Sequence, residues 1–197
     1  MGQVRAFIAI DLPEEVRGEL TRIQSRLKTP GQDYVKWVDP DGIHLTLKFL
    51  GDIAEEKIAD ITAAMTISVQ GVQPFSLSIK ELGVFPNPNH TQVVWVGLIG
   101  QLDTLSYLHK QLEDNLEKLG FAAEKRRFSP HLTLARIRNH ALPIQRQSFG
   151  KLVSETAFES DKTVKVTAIS LIKSQLTPGG AIYSCLRSVP IKPQGVV

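Results

Sequence analysis

Cysteine is almost absent from the sequence: of 197 residues, only Cys185 carries a thiol. A single thiol excludes an intramolecular disulfide and a zinc cluster built on cysteines. Because Cys185 lies in a strand-forming run, residues 181–189, we predict that it is buried and unreactive rather than a nucleophile.

Long apolar runs are absent as well. No run approaches the roughly 20 residues that a helix needs to cross a bilayer, and residues 1–11 lack the basic start and apolar core of a signal peptide. With 42% hydrophobic and 22% charged residues, the composition is typical of a globular protein. We therefore predict a monomeric, cytoplasmic protein. The formal net charge of +3 is compatible with an anionic partner but does not identify one.

Motifs for common cofactors are missing. The sequence has no G-x-x-x-x-G-K-[ST] loop for ATP, no G-x-G-x-x-G loop for a dinucleotide and no H-E-x-x-H helix for zinc. It therefore predicts a protein that works without a cofactor or a metal.

A repeated tetrapeptide is the feature that stands out. His-Leu-Thr-Leu occupies residues 44–47 and again, unchanged, residues 131–134, 87 residues downstream. Each copy lies in an alternating apolar run typical of a strand, on which residues two apart share a face. Each copy thus presents one His and one Thr on one face and two leucines on the other. Two such strands facing each other across a cleft would form a site with two imidazoles and two hydroxyls.

Apolar residues at helical spacing predict three helices. Their buried stripes are Val16, Leu20, Ile23 and Leu27; Ile58, Ile61 and Met65; and Leu105, Leu108, Leu112, Leu116 and Leu119. Asp11 is predicted to cap the first helix, and Asp52 to cap the second after Gly51 breaks the preceding strand. Residues 139–151 give no clear pattern and are interpreted as a loop or a short helix.

Strands are predicted at residues 4–10, 36–38, 43–50, 75–80, 92–98, 131–137, 163–173 and 181–189, with a surface loop at 83–90. Both halves of the chain follow the order strand, helix, turn, His-x-Thr strand. The sequence therefore predicts an α+β fold of two lobes related by a pseudo-twofold axis, each an antiparallel sheet with flanking helices, around a central groove. No linker separates the lobes, so residues 1–197 are interpreted as a single bilobal domain.

Proton transfer at a phosphoryl group is the chemistry that suits such a site. Imidazole titrates near neutrality, so one His can accept a proton from the nucleophile while the other donates one to the leaving group. Two Thr hydroxyls suit the non-bridging oxygens, where charge develops. A single His on a strand is more often structural, and two His alone make an incomplete zinc site. The identical duplication favours catalysis over both alternatives.

The chain resembles a known family at five places in order. They are R-A-F-I-A-I-D-L-P from Arg5, H-L-T-L-K-F-L-G from His44, G-V-F-P-N-P from Gly83, F-S-P-H-L-T-L-A-R from Phe128 and L-T-P-G-G from Leu176. Paired His-x-Thr-x motifs are the signature of the two-histidine (2H) phosphoesterase superfamily. The five places together most resemble its RNA 2′,3′-cyclic phosphodiesterase branch, also called 2′-5′ RNA ligase-like.

The resemblance implies a hydrolase that opens RNA 2′,3′-cyclic phosphates, or small cyclic nucleotides, to 2′-phosphates without a metal. By position, His44 matches the proton donor to O3′ and His131 the acceptor that activates water. Thr46 and Thr133 match the phosphate-binding hydroxyls, and Arg136 matches a phosphate-binding arginine. Because the site is nearly symmetric, the donor and acceptor labels could exchange.

Three further placements depend on strand alternation. Arg136 lies five residues after His131, so strict alternation points it away from the cleft unless a bulge, the strand's end or its long side chain returns it. Lys48 lies four residues after His44, so alternation predicts that it faces the cleft as His44 does. Phe49 is predicted on the opposite face, with the leucines. Phe85, in the loop at 83–90, is a candidate for base stacking. Phe7 and Trp37 are weaker stacking candidates that also fit core packing, and residues 125–127 form a basic run near the second motif.

Two other functions fit the same sequence. The site could join RNA halves through a 2′-5′ linkage by transesterification, since both directions share one pentacoordinate path. A non-catalytic module that binds RNA ends is the third hypothesis; retention of both histidines and both threonines argues against it.

Overall fold

A computed structural model describes residues 2–177 and 180–193. The strands are β1 (Gln3–Ile10), β2 (Val35–Trp37), β3 (Leu45–Ala54), β4 (Phe75–Phe85), β5 (Val93–Gly100), β6 (His131–Ile137), β7 (Thr163–Val166), β8 (Ala168–Thr177) and β9 (Gly180–Pro190). The helices are α1 (Glu14–Leu27), α2 (Lys57–Ser68), α3 (Leu102–Glu117) and α4 (Pro143–Glu155). None of them, within these residues, is long and apolar enough to span a membrane.

The strands form two antiparallel sheets, one for each lobe. The first sheet has the order β3-β1-β8-β9 and the second the order β2-β6-β5-β4-β7. The predicted α+β fold with two antiparallel sheets and flanking helices is therefore confirmed. The lobes exchange strands: β2, from the first half of the chain, pairs with β6, while β8 and β9, from its end, complete the sheet of β1 and β3. Each motif strand pairs with its neighbour in the same way, β3 with β1 and β6 with β5.

The helices pack their predicted apolar stripes against the sheets. Nearly all stripe residues of α1, α2 and α3 are buried, and they join the inward faces of both sheets in one hydrophobic cluster. Each motif strand contributes both of its tetrapeptide leucines to that cluster. The alternation of leucine with His and Thr therefore fixes the strand against the core and leaves the polar side chains at the surface of the lobe.

Both predicted helix caps are wrong. The residue that precedes α1 is Pro13, without a side-chain cap, and Asp11 instead accepts a hydrogen bond from the Ser170 hydroxyl at 2.7 Å. Asp52 lies inside β3, which continues through Gly51 because β1 offers backbone partners on both sides of it. Gly51 takes a φ of 73° at an irregularity in this ladder, a conformation that glycine adopts without strain.

Residues 139–151, interpreted as a loop or a short helix, contain the start of α4, whose buried side includes Phe149 and Val153. Two other segments differ from the predictions. The predicted loop at 83–90 begins later, because Gly83 to Phe85 extend β4 along β5. Cys185 is exposed, so the prediction that it is buried is wrong; it lies on β9, the edge strand of its sheet. Of the predicted turn at 177–180, residues 178 and 179 lie outside the described part of the chain.

Candidate active site

The two tetrapeptides meet at one cleft between the lobes. Motif strands β3 and β6 contact each other, and the cleft, of about 320 Å³, is lined by His44, Thr46, His131 and Thr133 together. The structure thus brings together the four side chains that the duplication singled out.

Each imidazole is held by a carbonyl two residues before it. Nδ1 of His44 lies 2.8 Å from the carbonyl oxygen of Gly42, and Nδ1 of His131 lies 2.7 Å from that of Ser129. A carbonyl oxygen only accepts, so Nδ1 must carry the hydrogen in both rings. Nε2 is then the atom that gains or loses a proton. Both rings therefore offer the same atom for proton transfer.

Aromatic rings surround both imidazoles but in different orientations. Phe7 stacks on His44 with centroids 4.4 Å apart and planes inclined by 23°, and Tyr183 meets His44 at 5.2 Å, edge to face. Phe85 meets His131 at 5.1 Å with planes inclined by 86°. A stacked aromatic face attracts a cation, so Phe7 favours the protonated form of His44. His131 has no stacked ring among the described contacts.

Burial lowers the pKa of both imidazoles below its ordinary value, since a charged ring loses water there. The neighbouring charges then act in opposite directions. Asp11 raises the pKa of His44 and offsets part of the effect of burial. Arg136 lowers the pKa of His131 further. The two neighbouring charges therefore act in opposite senses, that of Asp11 toward a proton on His44 and that of Arg136 against one on His131.

A β-bulge in β6 follows the His-x-Thr unit. Thr133 pairs with Trp95 and Ala135 pairs with Val94, so Leu134 is the extra residue. The carbonyl of Leu134 accepts hydrogen bonds from the backbone N–H of Val38 at 2.9 Å and from Nε2 of Gln24 at 3.0 Å. The bulge therefore leaves no unpaired carbonyl and is supported by α1 and the chain beyond β2.

A bulge at the same place in β3 explains the position of Lys48. Thr46 pairs with Ala9 and Lys48 with Ile8, which makes Leu47 the extra residue. The His109 side chain hydrogen-bonds the backbone of Leu47. Lys48 therefore does not share the face of His44 as strict alternation predicted.

Lys48 is instead 7% exposed and points toward α3. Its Nζ donates to Glu113 Oε2 at 2.7 Å and to the carbonyl of Ala122 at 2.6 Å.

The paired bulges turn the residue five positions after each His toward the cleft. Arg136 and Phe49 occupy these equivalent positions, and both line the cleft beside the motifs. For Arg136, the structure contains a bulge, which is one of the features that could return its side chain to the cleft. Phe49 is 68% exposed, although alternation predicted it on the leucine face. Sequence reasoning missed it, but the offset of 87 residues maps Phe49 onto Arg136 and could have identified it.

The remaining candidates differ in position. Phe85 is half-buried and borders His131. Trp37 packs edge-on against Phe149 at 6.1 Å, and Phe7 is buried under His44. Asp11 and Tyr183 were not singled out as site residues, because each meets a partner far away in the sequence. Asp11 binds Ser170 of β8, and Tyr183 of β9 meets His44.

Potential metal ligands do not cluster. Among residues 2–177 and 180–193, no group of three or more His, Cys, Asp or Glu side chains is placed to hold an ion.

Comparison with known proteins identifies the family. A family model described as LigT-like phosphoesterase matches the chain twice, at residues 10–95 and 99–183. An RNA 2′,3′-cyclic phosphodiesterase of Methanothermobacter thermautotrophicus is 39% identical over 92% of this chain and 96% of its own. One of Thermotoga maritima is 33% identical over 93% of each chain. The crystal structure of Escherichia coli LigT complexed with 3′-AMP has a TM-score of 0.76 at 25% identity, covering 96% of this chain and 99% of its own.

The double match of the family model falls on the two halves that carry the repeated tetrapeptide. It confirms the resemblance to the 2H phosphoesterases and the two-lobed plan. The chain belongs to the LigT-like phosphoesterase family.

Proposed function

We propose that this protein hydrolyses the 2′,3′-cyclic phosphate at the end of an RNA chain to a 2′-phosphate, without a metal. The observation that carries the proposal is the pair of imidazoles at one cleft, each bound through Nδ1 to its own backbone carbonyl. The curated relatives support the substrate, since they are named RNA 2′,3′-cyclic phosphodiesterases. The cytoplasmic location and the monomeric state stay predictions from the sequence.

The proposed reaction is an in-line displacement at phosphorus. Nε2 of His131 takes a proton from a water molecule while the oxygen of that water forms a bond to phosphorus. The bond between phosphorus and O3′ breaks, and Nε2 of His44 donates its proton to O3′. The phosphate keeps its bond to O2′. Solvent then removes the proton from His131 and returns one to His44.

Three side chains support the phosphate in this scheme. The hydroxyls of Thr46 and Thr133 donate to its non-bridging oxygens, one from each lobe. The guanidinium of Arg136 balances the charge that builds on those oxygens in the transition state. Positioning and charge stabilisation of this kind carry most of the catalysis in phosphoryl transfer.

The charges around the two rings support His44 as the donor. Asp11 and the face of Phe7 stabilise an imidazolium at His44. Arg136 destabilises one at His131, which keeps Nε2 of His131 free to accept. The proton donor should be the ring whose charged and aromatic neighbours stabilise its cationic form, and these are the neighbours of His44.

The pH profile of kcat/KM is expected to be bell-shaped, with its maximum on the acidic side of the ordinary histidine pKa of about 6.5. Activity falls with rising pH as His44 loses its proton, and with falling pH as His131 gains one. Burial lowers the pKa of both rings, so both limbs move to lower pH.

Two variants test the origin of the limbs. Asp11→Asn removes the charge that raises the pKa of His44, so the alkaline limb should move to lower pH. Asp60→Asn, at an exposed position of α2, is the matched control and should leave both limbs in place. An unchanged alkaline limb in Asp11→Asn would contradict the assignment of the donor.

Product analysis tests the function itself. Incubation with a nucleoside 2′,3′-cyclic phosphate should add one water and give the nucleoside 2′-phosphate, identified by mass and by phosphorus NMR. A 3′-phosphate would show that O2′ is the leaving group and would reverse the proposed direction. Absence of turnover with both mononucleotides and RNA ends would refute the function.

A further inference from the structure

A second depression continues from the cleft along the segment before β6. It shares Thr46, Phe49, His131 and Arg136 with the cleft. Its outer wall is the segment 122–129, and we call the depression the basic groove because Lys125, Arg126 and Arg127 line it. All three of these side chains are exposed. Phe85 and Phe128 also line the basic groove, so it contains aromatic rings as well as cations.

The outer wall is irregular chain, but it is fixed at its first end by a buried ion pair. Lys48 donates to the carbonyl of Ala122, and Glu113 accepts from the backbone N–H of Glu124 at 2.9 Å. Lys48 and Glu113 bind each other between these two contacts. The fold thus uses a buried charge pair to hold the start of a segment whose own side chains face water.

The second end of the wall is fixed as well. The ring of Phe128 stacks on His109 with centroids 3.9 Å apart, and the carbonyl of Ser129 accepts from His131. The three cations lie between the two fixed ends, so they are held beside the cleft.

The two mouths of the cleft differ in charge. The mouth away from the basic groove is lined by Arg5, with Tyr183 and Leu176, which is 70% exposed. The basic groove has four exposed cations, at residues 125–127 and at Arg136. Two acidic residues are among its described lining residues: Glu113, which is paired with Lys48, and Glu124. A polyanion is therefore attracted more strongly to the basic groove, with its four exposed cations, than to the other mouth, whose described lining residues include one cation, Arg5.

We propose that the basic groove binds the RNA phosphates on the 5′ side of the terminal nucleotide. The inference rests on the proposed function, because a cyclic phosphate ends the chain at its 3′ side and leaves only the 5′ side to extend. Cations that follow a backbone, interleaved with rings that stack on bases, are the usual way to bind single strands without sequence preference. The enzyme is then one that selects RNA ends over cyclic mononucleotides.

Substrate length tests this inference. The wild-type protein should hydrolyse a tetranucleotide with a terminal 2′,3′-cyclic phosphate about tenfold faster, in kcat/KM at low salt, than the cyclic mononucleotide. Three neutralised phosphates give a salt slope of about −2 for single strands. Tripling the salt should therefore lower the tetranucleotide value about tenfold and hardly change the mononucleotide value.

The variant K125A/R126A/R127A should lose the length advantage and most of the salt dependence. Its activity on the mononucleotide, which does not reach the three cations, should stay within about twofold of wild type, since these side chains are exposed. K80A/K151A/K165A removes the same charge from exposed positions that line neither depression. It should behave as wild type on both substrates.

Three outcomes would overturn the inference. The wild type could show no gain with length, the groove variant could lose activity equally on both substrates, or the control variant could lose the length advantage too. The first result leaves the proposed function standing if the mononucleotide is still hydrolysed. Failure of the wild type on both substrates would instead refute the function. Thermal unfolding of all three proteins verifies that they are equally folded.

Discussion

Replacement of His131 or of His44 by alanine is expected to lower kcat for a nucleoside 2′,3′-cyclic phosphate by about 10³-fold, because general acid–base catalysis contributes about 10²–10⁴-fold. Both rings are partly exposed at the cleft, so their removal should leave the fold intact. Steady-state kinetics with the purified variants measures the loss, and circular dichroism verifies the fold. EDTA should leave the wild-type rate unchanged.

A second substrate separates the two roles. An aryl phosphodiester whose leaving group needs no proton should make the loss in His44→Ala much smaller, while the loss in His131→Ala should persist. His140→Ala, at an exposed position that lines neither depression, is the matched control and should keep full activity. Full activity in either motif variant would refute the two-histidine mechanism.

Substitution of Lys48 by methionine is expected to lower the free energy of unfolding by about 3 kcal/mol, the usual cost of leaving one charge of a buried pair without its partner. The side chains of Lys48 and Glu113 are only 6% and 12% exposed. The change also removes a hydrogen bond from the carbonyl of Ala122. Urea denaturation measures the loss, which should exceed that of most surface changes.

The control for Lys48→Met is an exposed ion pair on α3, the helix that carries Glu113. Lys110 and Asp114 contact each other with 69% and 46% of their side chains exposed, so Lys110→Met should change stability by less than about 1 kcal/mol. The double variant K48M/E113L removes both buried charges and should recover part of the loss. A Lys48→Met protein as stable as wild type would show that the pair does not hold the fold together.

The helices and the four motif side chains could be predicted because they depend on local spacing. Val16, Leu20, Ile23 and Leu27 form one stripe whatever the helix packs against, and all four are buried. The His-x-Thr pairs were recognised because a literal repeat is visible without any knowledge of the fold.

The remaining features depend on contacts between distant segments. The bulges at Leu47 and Leu134 arise where the motif strands pair with β1 and β5. Distant side chains bond to both bulges, His109 to the backbone of Leu47 and Gln24 to the carbonyl of Leu134. Alternation along one strand contains no information about these partners. The prediction for Phe49 was wrong for this reason. The prediction that Lys48 faces the cleft was wrong for the same reason.

Other misses have the same origin. Asp11 looks like a helix cap in its local sequence, but Ser170 of β8 binds it instead. Cys185 lies in a strand that looks apolar enough to be internal, and only the order of strands in the sheet shows that β9 is at the edge.

The paired bulges have a consequence for regiochemistry. Two interchangeable histidines, two threonines and a symmetric cleft would open a cyclic phosphate at O2′ and at O3′ with equal ease. The bulges add one more residue from each half to the cleft, and these residues differ: a phenyl ring at Phe49 and a guanidinium at Arg136. The phenyl ring can pack against the ribose and its base, whereas the guanidinium can bind the charged phosphate. For the proposed reaction, we therefore expect the direction of ring opening to depend on the positions at which the duplicated halves differ, and not on the residues that they share.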